Sequence, residues 1–438
     1  MSVTKRRSRG GSLLGQGAYG CVFGPALACT HTSYEIKGTH TVGKVFSPNQ
    51  KNELDEEARI ARVVNDIDPN SEFTIKYYGV CDVDLKKVDM ETVKSCEPVD
   101  MIKLIRESNK KKVPRLPQII YENGGIDMHT FCTSYAVKNN IAFDDIIVMF
   151  LPIMKGLHAM SANHWVHFDI KPPNMLYNER NRRIYLIDFG LAQNTHSLSL
   201  ASSNKLSEIK YVLAWPYMYY PPEFRIMAHI LDMDKDAVLG VDRIYFSDLK
   251  RLSGYVDLLQ TFGFREDDPG LRRLCDAASK KPAAFRDAFL QKYLYKADVF
   301  SLGMTLKEII RSLIRNHAFH VVNTRFVNAF QRLLLKMIAL DPKKRLSAEA
   351  AYTKLHDLVA QYKPDAPVHD AAKGTNTYKD KDQDQDQDQD KKHMKTKAKA
   401  TCPKPRRPDG NGQCPAGYVQ KLNKHDVPCC YKIKIKTS

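Results

Sequence analysis

No run of about 18 consecutive apolar residues occurs in this 438-residue chain, which argues against a membrane span. The longest apolar stretch, IIVMFLPIM (146–154), is too short and contains Pro152, so it reads as a buried helix. No apolar segment follows the basic start MSVTKRRSRGG, which argues against secretion. Residues 1–11 read as a solvated, disordered arm, with Lys5, Arg6, Arg7 and Arg9 open to a nucleic-acid or targeting role. Internal repeats are absent.

What is present is enough apolar matter, 43% of residues, for a sizeable core, and length for two or three domains. The net charge is +17, which suits an acidic partner such as nucleic acid, an anionic membrane or an acidic protein. The charge is uneven: residues 391–438 hold 13 Lys and Arg against 2 Asp, so +11 lies there. Six of the ten cysteines, Cys21, Cys29, Cys81, Cys96, Cys132 and Cys275, are scattered singly. In an intracellular protein of this size such cysteines are expected to be reduced and often buried.

Patterning divides the chain at about residue 125. SLLGQGAYGCVFG reads as strand, glycine turn, strand; TVGKVF (41–46) is a short strand, and RLPQIIYENGG (115–125) a strand ending in a glycine turn. QKNELDEEARIARVV (50–64) has helical spacing at Leu54, Ala58, Ala61 and Val64. From Phe143 helical patterns dominate, over 144–161, 296–315 and 325–340. This is an α+β arrangement, a strand-rich small lobe (about 12–125) before a helical large lobe (about 126–363). Residues 364–400 are expected to be a disordered linker, since the run KDKDQDQDQDQD within them alternates charge and amide with nothing apolar to bury, and it leads to a Cys-rich basic module at 401–438.

Several residue groups carry phosphate chemistry. Gly15-Gln16-Gly17-Ala18-Tyr19-Gly20 has the G-x-G-x-x-G pattern, in which absent Cβ atoms let backbone N–H groups approach phosphate oxygens. A strand rather than a helix follows it, so a dinucleotide-binding loop is disfavoured. Lys44 lies between apolar strand residues and needs a partner if it faces inward; Glu57 in the following helix is the candidate, ahead of Glu56 and Glu53. HWVHFDIKPPNML (164–176) supplies Asp169, Lys171 and Asn174. Asp188 follows in IYLIDFGLA, where a strand-end carboxylate before Phe-Gly can hold a divalent cation over phosphates.

Together GQGAYG, VGK, HFDIKPPN, DFG, PPE (221–223) and DVFSLG (298–303) resemble the eukaryotic protein-kinase signature set, in order, from about Ser12 to Tyr362. The resemblance implies a bilobal protein-kinase fold using ATP and Mg2+ on a protein substrate. It implies that Gly15, Gly17, Gly20 and Val22 cover the nucleotide, that Lys44 holds its α/β-phosphates while paired with Glu57, and that Glu122 and Gly124 form the adenine hinge, with Tyr121 at its inner edge. Asp169 is then the base, Lys171 offsets charge on the phosphoryl group, and Asn174 and Asp188 hold Mg2+. Glu223 and Arg345 form a large-lobe ion pair, and Asp298 ties down the catalytic loop. Lys171, two residues after Asp169, resembles the serine/threonine class.

Four features depart from that pattern. Phe168 replaces the usual Arg, so activity is expected without activation-loop phosphorylation. Gly43 replaces an Ala, a change expected to be mild. Pro216 stands where the family places a Thr. Glu223 and Asp298 are 75 residues apart, which implies a helical insertion at about 228–291. Cys402, Cys414, Cys429 and Cys430 contain no C-x-x-C pair, so a zinc ribbon is disfavoured, while disulfides, another metal site and free thiols stay open. The tail resembles Cys-rich basic segments on proteins of large nucleocytoplasmic DNA viruses. That implies a viral kinase in host cytoplasm and virion, with a nucleic-acid partner for the tail; a catalytically weak scaffold or a nucleic-acid-associated virion protein is the alternative.

Overall fold

The structure, a computed structural model, describes residues 11–17, 20–30, 40–97, 99–108, 115–200, 213, 217–233, 268–364, 418–422 and 428–432. Most of the arm and linker, residues 234–267 of the insertion, Pro216, Cys402 and Cys414 lie outside these. The chain divides into two units, Met1–Val368 and His369–Ser438.

The first unit opens with an antiparallel sheet of order β1-β2-β3-β5-β4, made of β1 (Ser12–Gly17), β2 (Gly20–Gly24), β3 (Thr41–Phe46), β4 (Tyr77–Asp82) and β5 (Pro117–Glu122). Strand alternation sends Cys21, Phe23 and Val45 to a buried outer face, while Val22 and Lys44, paired in register, belong to the opposite one. Helix α1 (Lys51–Ile67) joins β3 to β4 and buries Leu54, Ala58, Ala61 and Val64, which recur at helical spacing. It ends at Asp68, whose carboxylate accepts the backbone N–H groups of Glu72, Phe73 and Thr74. This turn reaches the large lobe: Leu186 N–H donates to Phe73, and a Cβ on Gly156 would meet the Phe73 ring at 2.1 Å.

Between β4 and β5 the chain makes a 3-10 turn (Leu85–Lys87) and two helices, α2 (Met90–Val93) and α3 (Met101–Ser108). The sequence reading has no helix here, because α3 is eight residues long and α2 four, too short to set up a period. Val93, Val99, Met101 and Ile105 cover the outer face of the sheet at Phe23, Leu27 and Val45.

Cys21 is disulfide-bonded to Cys96, and Cys29 to Cys81. The expectation of six reduced cysteines therefore fails for four of them: the sheet and its cover bring together thiols 75 and 52 residues apart. Cys132 and Cys275 are free and buried, and burial pushes both thiols up to about 12.

After β6 (Ile126–Asp127) the unit is mainly helical. The apolar stretch 146–154 spans the junction of α4 (Phe143–Met149) and α5 (Leu151–Ala162), with Pro152 in the first turn of α5 where no N–H bond is lost. Among the described residues Phe143–Ala162 is long and apolar enough to cross a membrane, but Ile146, Ile147, Phe150, Ile153 and Met154 fill the core of this lobe. Strands β7 (Trp165–Val166), β8 (Met175–Asn178), β9 (Arg183–Leu186) and β10 (Gln193–Asn194) follow; β6-β8-β9 form one small sheet and β7-β10 another.

Helix α6 (Pro222–Met233) continues past residue 228, where the sequence reading starts the insertion. Helices α7 (Pro269–Lys280) and α8 (Pro282–Ala288) place Leu271, Leu274 and Phe285 in one core with Phe224 and Phe300. The N-cap of α7 is Asp268, which accepts the N–H groups of Gly270 and Leu271, with Pro269 at the first helical position. Then α9 (Ala297–Arg315), buried on all sides from Ala297 to Leu306, runs through the lobe, flanked by α10 (Thr324–Met337) and α11 (Ala348–Tyr362).

In the second unit β11 (Tyr418–Leu422) pairs antiparallel with β12 (Pro428–Lys432), which places Cys429 opposite Lys421 and Cys430 opposite Gln420.

Candidate active site

The segment between β7 and β8 carries Asp169, Lys171 and Asn174, and α9 holds it. The Asp298 carboxylate accepts the N–H groups of His167 (2.7 Å) and Phe168 (3.1 Å). Asp169 N–H donates to His167 Nδ1 at 3.1 Å, which leaves Nε2 carrying the ring proton, 3.2 Å from the Ile187 carbonyl. Asn174 Nδ2 donates to both the carbonyl and the carboxylate of Asp169, each at 2.8 Å, and Lys171 Nζ lies 2.8 Å from the same carboxylate. Pro172 and Pro173 shape the single 3-10 turn, Pro172–Asn174, that carries the chain between them.

The small lobe supplies the facing half. Lys44 Nζ is 2.6 Å from Glu57 Oε2 and 4.0 Å from Asp188 Oδ1. Glu56, an alternative partner, is instead bonded to Arg59. Ile187 N–H donates to the Asn174 carbonyl at 2.9 Å, so Asp188 follows directly beside the Asp169 loop. Asp188 adopts φ +61°, a left-handed conformation that a non-glycine residue occupies at a cost and that is enriched at functional sites.

The glycine-rich hairpin runs from Gly15 through Gly20, with Ala18 and Tyr19 outside the described residues. A Cβ on Gly20 would meet the Val45 carbonyl oxygen at 1.9 Å, so the hairpin closes onto β3 only with glycine there. Cβ atoms on Gly15 and Gly17 would meet nothing, and their part in the hairpin is open approach rather than packing. Glu122 ends β5 and donates its N–H to Lys76, and Gly124 lies against Leu176 and Ile75 where the two lobes join.

Burial raises the Glu57 carboxyl pKa, with Lys44 opposing. Burial likewise raises that of Asp169 against the hydrogen bonds from Lys171 and Asn174, in the direction that makes a carboxylate a better proton acceptor. Asp298 is pushed up to about 6 by burial, partly offset by the His167 and Phe168 N–H groups. His167 is held down at about 4 by burial and is neutral near pH 7.

Arg345 and Glu223 form a fully buried bidentate pair, with Nη2 3.0 Å from Oε2. Arg345 also donates to the Ala339 carbonyl and stacks over Phe300. Three contacts escaped the sequence reading. The Tyr121 hydroxyl lies 3.5 Å from Glu57 Oε1, Arg59 covers the Trp165 ring at 5.6 Å, and Lys171 Nζ lies 5.6 Å from the Tyr217 ring. The tyrosine-rich run YMYY after Pro216 was the available signal for the last of these.

Among the described residues no three His, Cys, Asp or Glu side chains gather as a self-sufficient metal site. The oxygen donors of Asn174 and Asp188 instead suit Mg2+, which takes one or two carboxylates and completes its shell from phosphates and water.

A sheet lobe joined to a helical lobe, with these groups at the junction, fits the bilobal architecture of protein kinases. Residues 9–224 match the protein kinase domain family, a span that includes the hairpin, Lys44, Asp169, Asp188 and Glu223. Over 64 residues the chain is 38% identical to a human protein named cell division cycle 7-related protein kinase, and 33% identical to the mouse protein of that name. Those matches span 15% of this chain and only 11% of each relative. The similarity is thus to a protein kinase domain, over residues 9–224, a little under half of the chain.

Proposed function

We propose that the chain is a serine/threonine protein kinase that transfers the γ-phosphoryl group of ATP to a protein hydroxyl. One observation carries the reading: a buried Asp169 carboxylate, bracketed by Lys171 and Asn174, stands across the lobe junction from the Lys44–Glu57 pair, with Asp188 on its own side of that junction and 4.0 Å from Lys44. In the reaction the substrate oxygen bonds to the γ-phosphorus, its proton passes to Asp169, and the bond to the β–γ bridging oxygen breaks to release ADP. Lys44 holds the α/β-phosphates and is itself held by Glu57. Lys171 offsets charge on the transferring group. Asn174 and Asp188 would hold Mg2+, which when bound neutralises phosphate charge. Such transfer needs positioning and charge stabilisation rather than covalent help.

The serine/threonine assignment rests on Lys171 two residues after Asp169. Viral origin, a place in the virion and a nucleic-acid partner rest on the tail's composition and its likeness to viral segments. ATP turnover with a basic or casein-like substrate tests the enzyme reading. Asp169→Asn is expected to lower kcat on the order of 10²–10⁴-fold. Equal background from both proteins would leave a catalytically weak scaffold in its place.

A further inference from the structure

We propose that two consecutive residues of the β4–β5 connection, Cys96 and Glu97, clamp the glycine-rich hairpin and set its affinity for nucleotide, an inference that rests on the kinase reading above. Gln16, between Gly15 and Gly17 on β1, accepts the backbone N–H of Glu97 through Oε1 at 3.2 Å. Cys21, directly after Gly20 on β2, is bonded to Cys96. Both strands of the hairpin are therefore fastened, on either side of its tip, to one point outside the sheet.

That point is itself fixed. Cys96 donates its N–H to the Val93 carbonyl at 3.1 Å, and Val93, Val99 and Met101 are buried against Phe23 and Val45. Cys21 is fully buried on the face opposite Val22 and Lys44. The clamp thus holds the hairpin from behind and leaves its cleft side clear for phosphates. A glycine-rich hairpin held by its ladder alone samples many heights above the cleft, and ordering it opposes binding. Fastening both strands removes part of that cost before nucleotide arrives. The effect falls on nucleotide affinity and KM for ATP, and little on kcat, because Asp169, Lys171 and Asn174 belong to another lobe.

The full-length chain tests this by titration with a fluorescent ATP analogue and Mg2+, alongside steady-state kinetics and a thermal melt. Cys21→Ser/Cys96→Ser is expected to weaken binding and raise KM for ATP on the order of tenfold with kcat nearly unchanged. Gln16→Ala should cost about fivefold, and it keeps the test decisive if the double variant fails to fold. Cys29→Ser/Cys81→Ser removes the other cross-link, away from the hairpin, and should leave affinity unchanged. A dithiol reductant should reproduce the double variant in the wild type: the disulfide takes two electrons and two protons to give two thiols, and the dithiol becomes a cyclic disulfide. Unchanged affinity in folded Cys21→Ser/Cys96→Ser and in Gln16→Ala overturns the clamp alone, as do free Cys21 and Cys96 thiols in the native protein. Absence of nucleotide binding by the wild type overturns the kinase reading and the clamp with it.

Discussion

The ring of Phe168 lies 5.3 Å from the ring of Phe224, and both are buried. Phe224 follows Glu223 directly, and Phe168 precedes Asp169, so this contact joins the Asp169 loop to the helix that carries Glu223 of the buried ion pair. Tyr220 and Phe289 close the cluster around Phe224 at 5.3 and 5.8 Å. Where protein kinases usually place an Arg, this chain fastens its loop by apolar packing. Phe168→Ala is expected to destabilise by about 3–5 kcal/mol, measured by urea unfolding. Phe168→Arg should do at least as much harm, since it buries a guanidinium among aromatic rings.

The same contact bears on regulation. No guanidinium is offered at position 168 to a phosphate on the segment that follows Asp188, and Gln193–Asn194 of that segment are already paired to Trp165–Val166 through β10 and β7. Phosphatase treatment of the purified protein should therefore leave the proposed kinase activity intact. Loss of activity on treatment would show that a phosphate orders the segment through some other cation.

Glu223 and Arg345 are fully buried and bonded to each other, 122 residues apart in sequence. Removing one partner strands the other charge without water. Arg345→Met is expected to cost roughly 3–5 kcal/mol, whereas Glu223→Leu/Arg345→Met should recover much of that loss. Unfolding midpoints of the two variants decide it: equal losses would mean that the arginine acts through its stacking on Phe300 and its bond to Ala339 rather than through the pair.

Gly43 is less innocuous than its sequence suggests. A Cβ there would lie 2.2 Å from Gln118 Oε1 and 3.1 Å from the Ala26 Cβ. Gln118 is fully buried and donates to the Leu27 carbonyl at 2.6 Å, so it cannot swing away freely. Gly43→Ala should destabilise by about 1–3 kcal/mol, and Gly43→Ala/Gln118→Ala by less than the sum of the single changes. Strict additivity in that double-mutant cycle would mean that the two residues do not compete for the space.

Residues legible in the sequence are those whose meaning is local or ordinal. Glu57 could be chosen over its neighbours because helical spacing puts Ala61 and Val64 on the face toward Lys44. Asp169, Lys171, Asn174 and Asp188 are picked out as candidates by their order along the chain, and the fold brings them together. What sequence could not give depends on distant segments meeting. Nothing in the spacing of Cys21 and Cys96 announces a bond, since spacing alone cannot show that a cover of short helices lies over β2. Gly43 looked like a mild exchange because Gln118, 75 residues on, supplies the crowding. Phe168 could be read as a missing contact but not as a new one, because Phe224 reaches it only through the packing of α6.

The backbone N–H of His167 donates to the Asp298 carboxylate, and the imidazole of the one and the carboxyl of the other respond to pH in opposite senses. Burial holds His167 at about 4, below the ordinary 6.5, so between those values the unfolded chain binds a proton that the folded one refuses. Its contribution is full above pH 6.5 and lost as pH falls through 4, roughly 3 kcal/mol in all. Burial lifts Asp298 from 3.8 to about 6, so its contribution is full below 3.8 and lost as pH rises through 6, by a similar amount. Between pH 4 and 6 the two oppose each other, and each variant exposes the partner's slope. The stability difference between wild type and His167→Phe should grow as pH rises from 4 to 6.5. That between wild type and Asp298→Asn should shrink from 3.8 to 6. Urea titrations across this range measure both, and a constant offset in either series would mean that the group concerned keeps its ordinary pKa in the folded protein.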